Sequence, residues 1–252
     1  MLTVTVVLVH GNPETDAVWG PLVDALGRTD VMRLSPPGFG APLPSGFSAT
    51  FLAYRDWLVD EVGGIDQPVD LVGHDWGGCH VINAVMHRPD LVRSWASDVV
   101  GLFDRDYVWH DMAQAFQTPE TGEQLVEMMQ DGSVEKRAQQ LAAFGIPPEV
   151  ATSFAAAQDP QMGQAILALY RSARQPALAD AGRALEKAAV RPGLSLVATE
   201  DPFVGTDEMR RRAAGRAGAQ TEVLEGLGHW WMVQDAAVGA AALTRFWKTL
   251  DG

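Results

Sequence analysis

Apolar runs of strand length alternate along the first hundred residues with stretches of helical spacing. Residues 3–9 alternate threonine with apolar side chains, read as a buried strand, and run into His10-Gly11-Asn12-Pro13. A helix is expected over about 17–26 and a strand over 31–34. The breaker-rich loop Ser35-Pro36-Pro37-Gly38-Phe39-Gly40 follows. Over 50–62, Phe51, Tyr54, Leu58 and Val62 fall on one helix face, with Tyr54 and Trp57 as packing residues. The run 69–72 is the next strand. It meets the glycine-flanked turn Gly73-His74-Asp75-Trp76-Gly77, then a helix over 78–88 stopped by Pro89. Residues 92–100 form a further strand.

The pattern then changes. Residues 102–190 carry no strand signal, are rich in Ala, Gln, Glu and Met, and are broken by Pro119, Pro147-Pro148, Pro160 and Pro176. They read as several helices inserted between two strands. Strand character returns at 194–198 and 221–224, separated by a helix near 207–217 and closed by a helix over 236–250. Strands alternating with helices imply an α/β fold, with a mostly parallel sheet covered on both faces. The core is expected to comprise 1–101 and 191–252, and the helical insertion 102–190. There is no internal repeat.

Composition narrows the function. The chain has 252 residues, is 47% hydrophobic and carries a net charge of −13, which suits one globular domain with an insertion. That charge disfavours nucleic acid or an anionic membrane as partner. The one basic cluster, Arg210-Arg211-Arg212 with Arg216, reads as a solvated helix face. A single cysteine, Cys79, excludes an internal disulfide or a multi-cysteine metal site. Residues 1–9 lack the charged start and cleavage site of a signal peptide, and no apolar stretch is long enough to span a bilayer. A cytoplasmic protein, monomeric or homodimeric, needing no metal or organic cofactor, is the expectation.

A strand, a tight glycine-lined turn and a helix around one central side chain is the layout of a nucleophile elbow. The central residue here is Asp75. Gly73-His74-Asp75-Trp76-Gly77-Gly78 resembles the elbow of α/β-hydrolases of the epoxide hydrolase and haloalkane dehalogenase group. The resemblance covers nearly the whole chain. It implies the α/β-hydrolase fold with the insertion as a helical lid. The sequence departs from the group in one respect: members usually carry two more strands before the His-Gly turn, so the sheet is expected to lack that N-terminal hairpin and one edge strand needs protection of another kind.

The resemblance also implies the chemistry. Asp75 attacks an sp³ carbon to give an alkyl ester, and a carboxylate needs no base to activate it. His229, in Gly226-Leu227-Gly228-His229-Trp230-Trp231, matches the base that activates water against that ester. Asp201, in Glu200-Asp201-Pro202-Phe203, matches the acid that orients the histidine, and Asp98 is the rival. The order Asp75, Asp201, His229 is that of the fold. His10-Gly11-Asn12-Pro13 resembles the H-G-x-P turn, so backbone N–H groups of Asn12 and Trp76 form the oxyanion site.

Two hints diverge over the substrate. Asn12 and Trp76 match the pair that cradles a halide in some dehalogenases. Tyr170, in Leu169-Tyr170-Arg171-Ser172, resembles the second lid tyrosine that assists epoxide opening. The first lid tyrosine has no counterpart: Ala115-Phe116-Gln117-Thr118-Pro119 resembles the stretch after it, the matching position holds Met112, and Tyr107, Trp109 or His110 are substitutes. Trp230, Trp231, Trp109, Phe103 and Met112 are expected to line an apolar pocket for a small uncharged organic substrate. Epoxide hydrolysis is the first reading and haloalkane dehalogenation the second. A catalytically idle ligand-binding member is the alternative of another class.

Overall fold

A computed structural model of the protein describes residues 4–251. Its centre is a six-stranded sheet of order β2-β1-β3-β4-β5-β6, every pairing parallel. In chain order the strands are β1 (Thr5–Val9), β2 (Val31–Leu34), β3 (Val69–Gly73), β4 (Ser94–Ser97), β5 (Gly193–Ala198) and β6 (Ala219–Leu224). The helices of the core are α1 (Gly20–Leu26), α2 (Phe51–Gly63) and α3 (Trp76–His87). Between β4 and β5 lie α4 (Asp111–Gln117), α5 (Thr121–Gln130), α6 (Val134–Ala142), α7 (Pro148–Ala157), α8 (Pro160–Ser172) and α9 (Ala177–Gly182). The chain closes through α10 (Asp207–Arg216), α11 (Trp231–Gln234) and α12 (Ala236–Lys248).

The parallel sheet is buried on both faces, and side-chain alternation divides the core in two. Val7 and Val9 of β1, with Val69 and Leu71 of β3, face one cluster with α2 and α3. Val6, Leu8 and Val72 face the other, with α1, α11 and α12. The insertion straddles both: α4, α5 and α8 join the first cluster, and Val150, Ala151 and Phe154 of α7 join the second. The exposed edges are β2 and β6. β2 is only four residues long, and its outer Arg33 pairs with Asp16 at 3.4 Å, which blunts it against further pairing. Among the described residues no helix is long and apolar enough to cross a membrane.

Several expected boundaries move. The opening strand begins at Thr5, and residue 3 of the expected span lies outside the described residues. The helix expected over 17–26 is a 3₁₀ turn, Asp16–Trp19, capped by Thr15, followed by α1. The helix after the elbow starts at Trp76, two residues earlier than expected, because the turn is completed within Asp75 itself. The strand expected over 92–100 is only Ser94–Ser97, and Val100–Phe103 is a 3₁₀ turn leading into the insertion.

Candidate active site

β3 delivers Asp75 to the C-terminal edge of the sheet, where the chain must reverse into α3 within one residue. Asp75 has φ 51° and ψ −128°, a conformation that costs a non-glycine residue about 1–3 kcal/mol. Hydrogen bonds hold it: the Asp75 N–H donates to Asp98 Oδ1 at 3.1 Å and the His74 N–H to the Val9 carbonyl at 3.0 Å. Two glycines leave the necessary room. A Cβ on Gly77 would lie 2.1 Å from the Val9 carbonyl oxygen, and one on Gly11 2.1 Å from Asp75 Oδ1.

The Asp75 carboxylate faces two partners. Oδ1 accepts the Asn12 N–H at 3.0 Å, and Oδ2 lies 3.7 Å from His229 Nε2. The Trp76 N–H, directly after it, is one of the amides at the start of α3 that the helix itself does not use. His229 Nδ1 donates to Asp201 Oδ2 at 2.9 Å, so a neutral ring keeps the Nε2 lone pair toward Asp75. Asp201 Oδ1 accepts the Phe203 N–H at 2.8 Å. Behind Asp201, Arg210 donates to the Ala198 carbonyl at 2.8 Å and to the Asp201 carbonyl. Arg210 is therefore not part of a solvated face: it is 5% exposed and clamps the turn that carries Asp201. Arg212 pairs with Asp104 and Asp106, each at 2.6 Å.

Burial pushes the Asp75 carboxyl up to about 6, with the His229 charge acting against it. For His229, burial favours the neutral ring, but the hydrogen bond and charge of Asp201 outweigh it and the net direction is upward. Asp201 itself ends below its ordinary value, burial being outweighed by His229.

A second assembly lies directly behind. His74, fully buried, donates Nδ1 to Asp98 Oδ2 at 2.5 Å and Nε2 to Glu14 Oε1 at 3.0 Å. Although burial opposes charge, the two carboxylates hold His74 as an imidazolium well above its ordinary range. Glu14 is correspondingly lowered to about 2 despite its burial, chiefly by the His74 charge. Its Oε2 accepts the Gly11 N–H at 3.0 Å, and the two indoles after His229 close the network: Trp230 donates to Glu14 and Trp231 to Asp98, both at 2.7 Å. Asp98 thus serves His74 and the elbow amide, while Asp201 is the carboxylate on His229. Ligand atoms of Glu14, His74 and His229 come within 4.8 Å of one another. With both ring nitrogens protonated against carboxylates, His74 has no lone pair for a metal ion.

Above Asp75 the space is narrow, with a volume of about 10 Å³, roughly one water. Trp76, Tyr107, Trp109, His110, Tyr170 and His229 border it, with Val99, Leu102, Phe203 and Val204 as its apolar wall. The Tyr107 hydroxyl donates to the Phe203 carbonyl at 2.8 Å and the Trp109 indole to the Ala173 carbonyl at 3.2 Å. The Tyr170 hydroxyl lies beside the Asn12 and Trp76 side chains, and Asn12 Nδ2 is buried with no partner. Four expected pocket residues lie elsewhere. Trp230 and Trp231 turn their indoles to Glu14 and Asp98, Phe103 is sealed in the core, and Met112 is 47% exposed on the outer side of α4. Glu14, His74 and Arg210 carry structural weight that the motifs did not announce.

A carboxylate at an elbow, backed by a histidine–carboxylate pair and capped by inserted helices, defines an α/β-hydrolase. The family comparison agrees: the model described as the alpha/beta hydrolase family matches residues 6–242, and the chain belongs to that family. The chain is 28% identical over 92 residues to an (E)-2-((N-methylformamido)methylene)succinate hydrolase of Acinetobacter baylyi, a match covering 36% of this chain and 35% of that protein. It is 27% identical over 95 residues to an epoxide hydrolase of Caballeronia sordidicola, covering 35% of this chain and 29% of the relative. Each of these matches thus spans about a third of the relative's length. The haloalkane dehalogenase DbeA of Bradyrhizobium elkani superposes with a TM-score of 0.71 at 20% identity, over 98% of this chain and 90% of the other, which shows a shared fold.

Proposed function

We propose that the protein hydrolyses epoxides to vicinal diols through an ester on Asp75. The observation that supports it most is the disposition of that carboxylate: Oδ1 on the Asn12 N–H, Oδ2 toward His229, and Asp201 behind His229. A carboxylate at the elbow suits an sp³ carbon, since attack on a carboxylic ester would give a reactive anhydride.

Oδ2 attacks a ring carbon, the C–O bond breaks, and the ring oxygen leaves as an alkoxide that the Tyr170 hydroxyl meets as hydrogen-bond donor. The alkoxide takes a proton from water, leaving hydroxide. His229 Nε2 then removes a proton from a second water as its oxygen adds to the Asp75 carboxyl carbon. The resulting oxyanion stays on the Asn12 N–H with the Trp76 N–H beside it. Collapse expels the diol oxygen, which takes the proton from His229. The ionised Asp75 returns, and the proton released neutralises the earlier hydroxide. His74, held as a cation behind the site, offsets the negative charge of Glu14 and Asp98 next to Asp75.

Residues 102–190 act as a lid in this reading, because Tyr107, Trp109, His110 and Tyr170 from that stretch border the narrow space above Asp75. The single buried Cys79 suits a cytoplasmic setting.

The test is the intact mass of His229→Gln after exposure to mixed epoxides and bromoalkanes. Without the base the ester accumulates, and the expected gain is the mass of a whole epoxide. A gain of an alkyl group without its halogen supports the second reading, haloalkane dehalogenation. The unpartnered Asn12 Nδ2 beside Trp76 favours that alternative. A folded protein with no adduct points to the ligand-binding alternative.

A further inference from the structure

We propose that His110 is a catalytic residue, the second hydrogen-bond donor to the leaving epoxide oxygen, in the role for which the sequence offers no first lid tyrosine. This rests on the epoxide reading above.

Three hydrogen-bonding side chains on the segment between β4 and α4, Tyr107, Trp109 and His110, border the space over Asp75, and two of them are already committed. Tyr107 gives its only proton to the Phe203 carbonyl, and Trp109 gives its only one to the Ala173 carbonyl. His110 is different. It is the N-cap of α4, and its Nδ1 accepts the Ala113 N–H at 3.3 Å. An atom that accepts an amide proton carries a lone pair, so the proton of the neutral ring sits on Nε2. Nε2 has no hydrogen-bond partner among the described residues. The helix cap therefore fixes the tautomer, and the ring borders the same space as Asp75 and Tyr170.

Its surroundings keep it neutral. Burial lowers its pKa, and the His229 charge adds to that, while Asp201 and Asp111 act weakly against it. A second proton would have to enter at Nδ1 and would break the cap. The ring stands 4.9 Å from Phe203, whose ring is in turn 5.1 Å from His229. Tyr170 stands on Trp76 at 5.1 Å. His110 and Tyr170 thus border the space from the Phe203 side and the Trp76 side.

The chemistry requires such a donor in one step only. As the Asp75 Oδ2–carbon bond forms and the ring C–O bond breaks, the electron pair stays on oxygen. An alkoxide is a strong base, and an aimed N–H stabilises it as it develops. Loss of one such donor costs about 10²-fold or more in rate. Ester hydrolysis, which turns on His229 and the Asn12 N–H, makes no use of His110.

The experiment compares His110→Asn and His110→Phe with the parent, using styrene oxide and 1,2-epoxyhexane. Asparagine is among the best N-caps and is too short to reach the oxygen, so it separates the cap from the donor. The ester-formation rate is read by rapid-quench mass in the His229→Gln background. Decay of the preformed ester is read with His229 intact, and thermal unfolding of each variant is recorded. The expected result is ester formation slowed about 10²-fold in both variants, decay within about threefold of the parent, and the melting temperature of His110→Asn unchanged. Ester formation at the parent rate in His110→Asn overturns the role. So does a loss shared equally by formation and decay, which marks a structural residue. If His229→Gln itself takes up neither epoxide, the epoxide reading fails and this inference with it. Uptake that His110 substitutions leave untouched removes only the inference.

Discussion

His229 and His74 stand with ring centres 4.6 Å apart, each bonded to buried carboxylates, and they do opposite things. His229 commits Nδ1 to Asp201 and leaves Nε2 3.7 Å from Asp75. His74 commits both nitrogens, to Asp98 and to Glu14. One ring can take up and release a proton within a catalytic cycle. The other is a fixed imidazolium between two anions, which holds the elbow amide through Asp98 and Gly11 through Glu14. Residue type and nearness to Asp75 do not distinguish the two. Saturation of the ring nitrogens does. The tryptophans after His229 join the assemblies: their indoles reach Glu14 and Asp98, so the loop that presents the free histidine is anchored on the saturated one.

The contrast breaks most completely at Asp75 and at the two aspartates that hold the histidines. Asp75→Ala is expected to lose all turnover of epoxides and haloalkanes while remaining folded by circular dichroism; retained activity would remove both readings. Asp201→Asn is expected to lower kcat by about 10³–10⁴-fold with little change in unfolding, since an amide reverses the preferred tautomer of His229. Asp98→Asn is expected to act on the fold instead. It removes one partner of a buried ion pair, with a loss of about 3–5 kcal/mol in denaturant unfolding. The converse, a stable but inactive Asp98→Asn beside an active Asp201→Asn, would exchange their roles.

A smaller effect sharpens the comparison through stability and pH. Glu14, lowered from 4.5 to about 2, contributes stability that is present above about 4.5 and is lost as pH falls toward 2. His74, raised above 6.5, contributes stability that is complete below 6.5 and is lost as pH rises through its elevated value. Asp75 works in the other direction, its cost growing from 3.8 up to about 6. Glu14→Gln is expected to lower stability at neutral pH by about 3 kcal/mol or more and to flatten the acid limb between 4.5 and 2. Urea unfolding across that range measures it, and an unchanged acid limb would show that Glu14 does not stabilise the fold through ionisation.

Much of this organisation was readable along the chain, and the failures have physical causes. Periodicity locates all six strands, because a two-faced parallel sheet leaves apolar runs such as Val6-Val7-Leu8-Val9. The elbow was legible because a one-residue reversal demands glycines at Gly73, Gly77 and Gly78. The pairing of His229 with Asp201 followed from order and context. Arg210 departs from the solvated face that the Arg210-Arg211-Arg212 run suggests, because three adjacent arginines look alike in sequence while helix geometry turns one of them inward onto Ala198 and Asp201. Residue type and nearness alone place Trp230, Trp231 and Met112 in the pocket; their directions depend on the α11 turn and on the outer side of α4. The Glu14–His74–Asp98 network joins three distant loops, and no local pattern encodes such a meeting. Its only sequence trace is a glutamate directly after the His-Gly-Asn-Pro turn and a histidine directly before Asp75.

The smallest expected effect concerns timing within the cycle, and it probes His229 against the carboxylate it faces. In the proposed cycle ester formation needs Asp75 ionised, so it fades as pH falls through about 6. Ester hydrolysis needs His229 neutral, so it fades as pH falls through a value above 6.5. Between those limits the nucleophile is ready and the base is not, and the ester accumulates in the parent enzyme. Esterification removes the Asp75 charge that helps raise His229. The histidine pKa then drops within the intermediate, which narrows the window, while Asp201 still holds Nδ1. Rapid-quench mass from pH 5 to 9 is expected to show the bound-ester fraction peaking a few-fold above its alkaline value just above pH 6. A fraction that rises steadily toward alkaline pH would mean that His229 is not the base for the ester, and the free nitrogen that sets it apart from His74 would have lost its function.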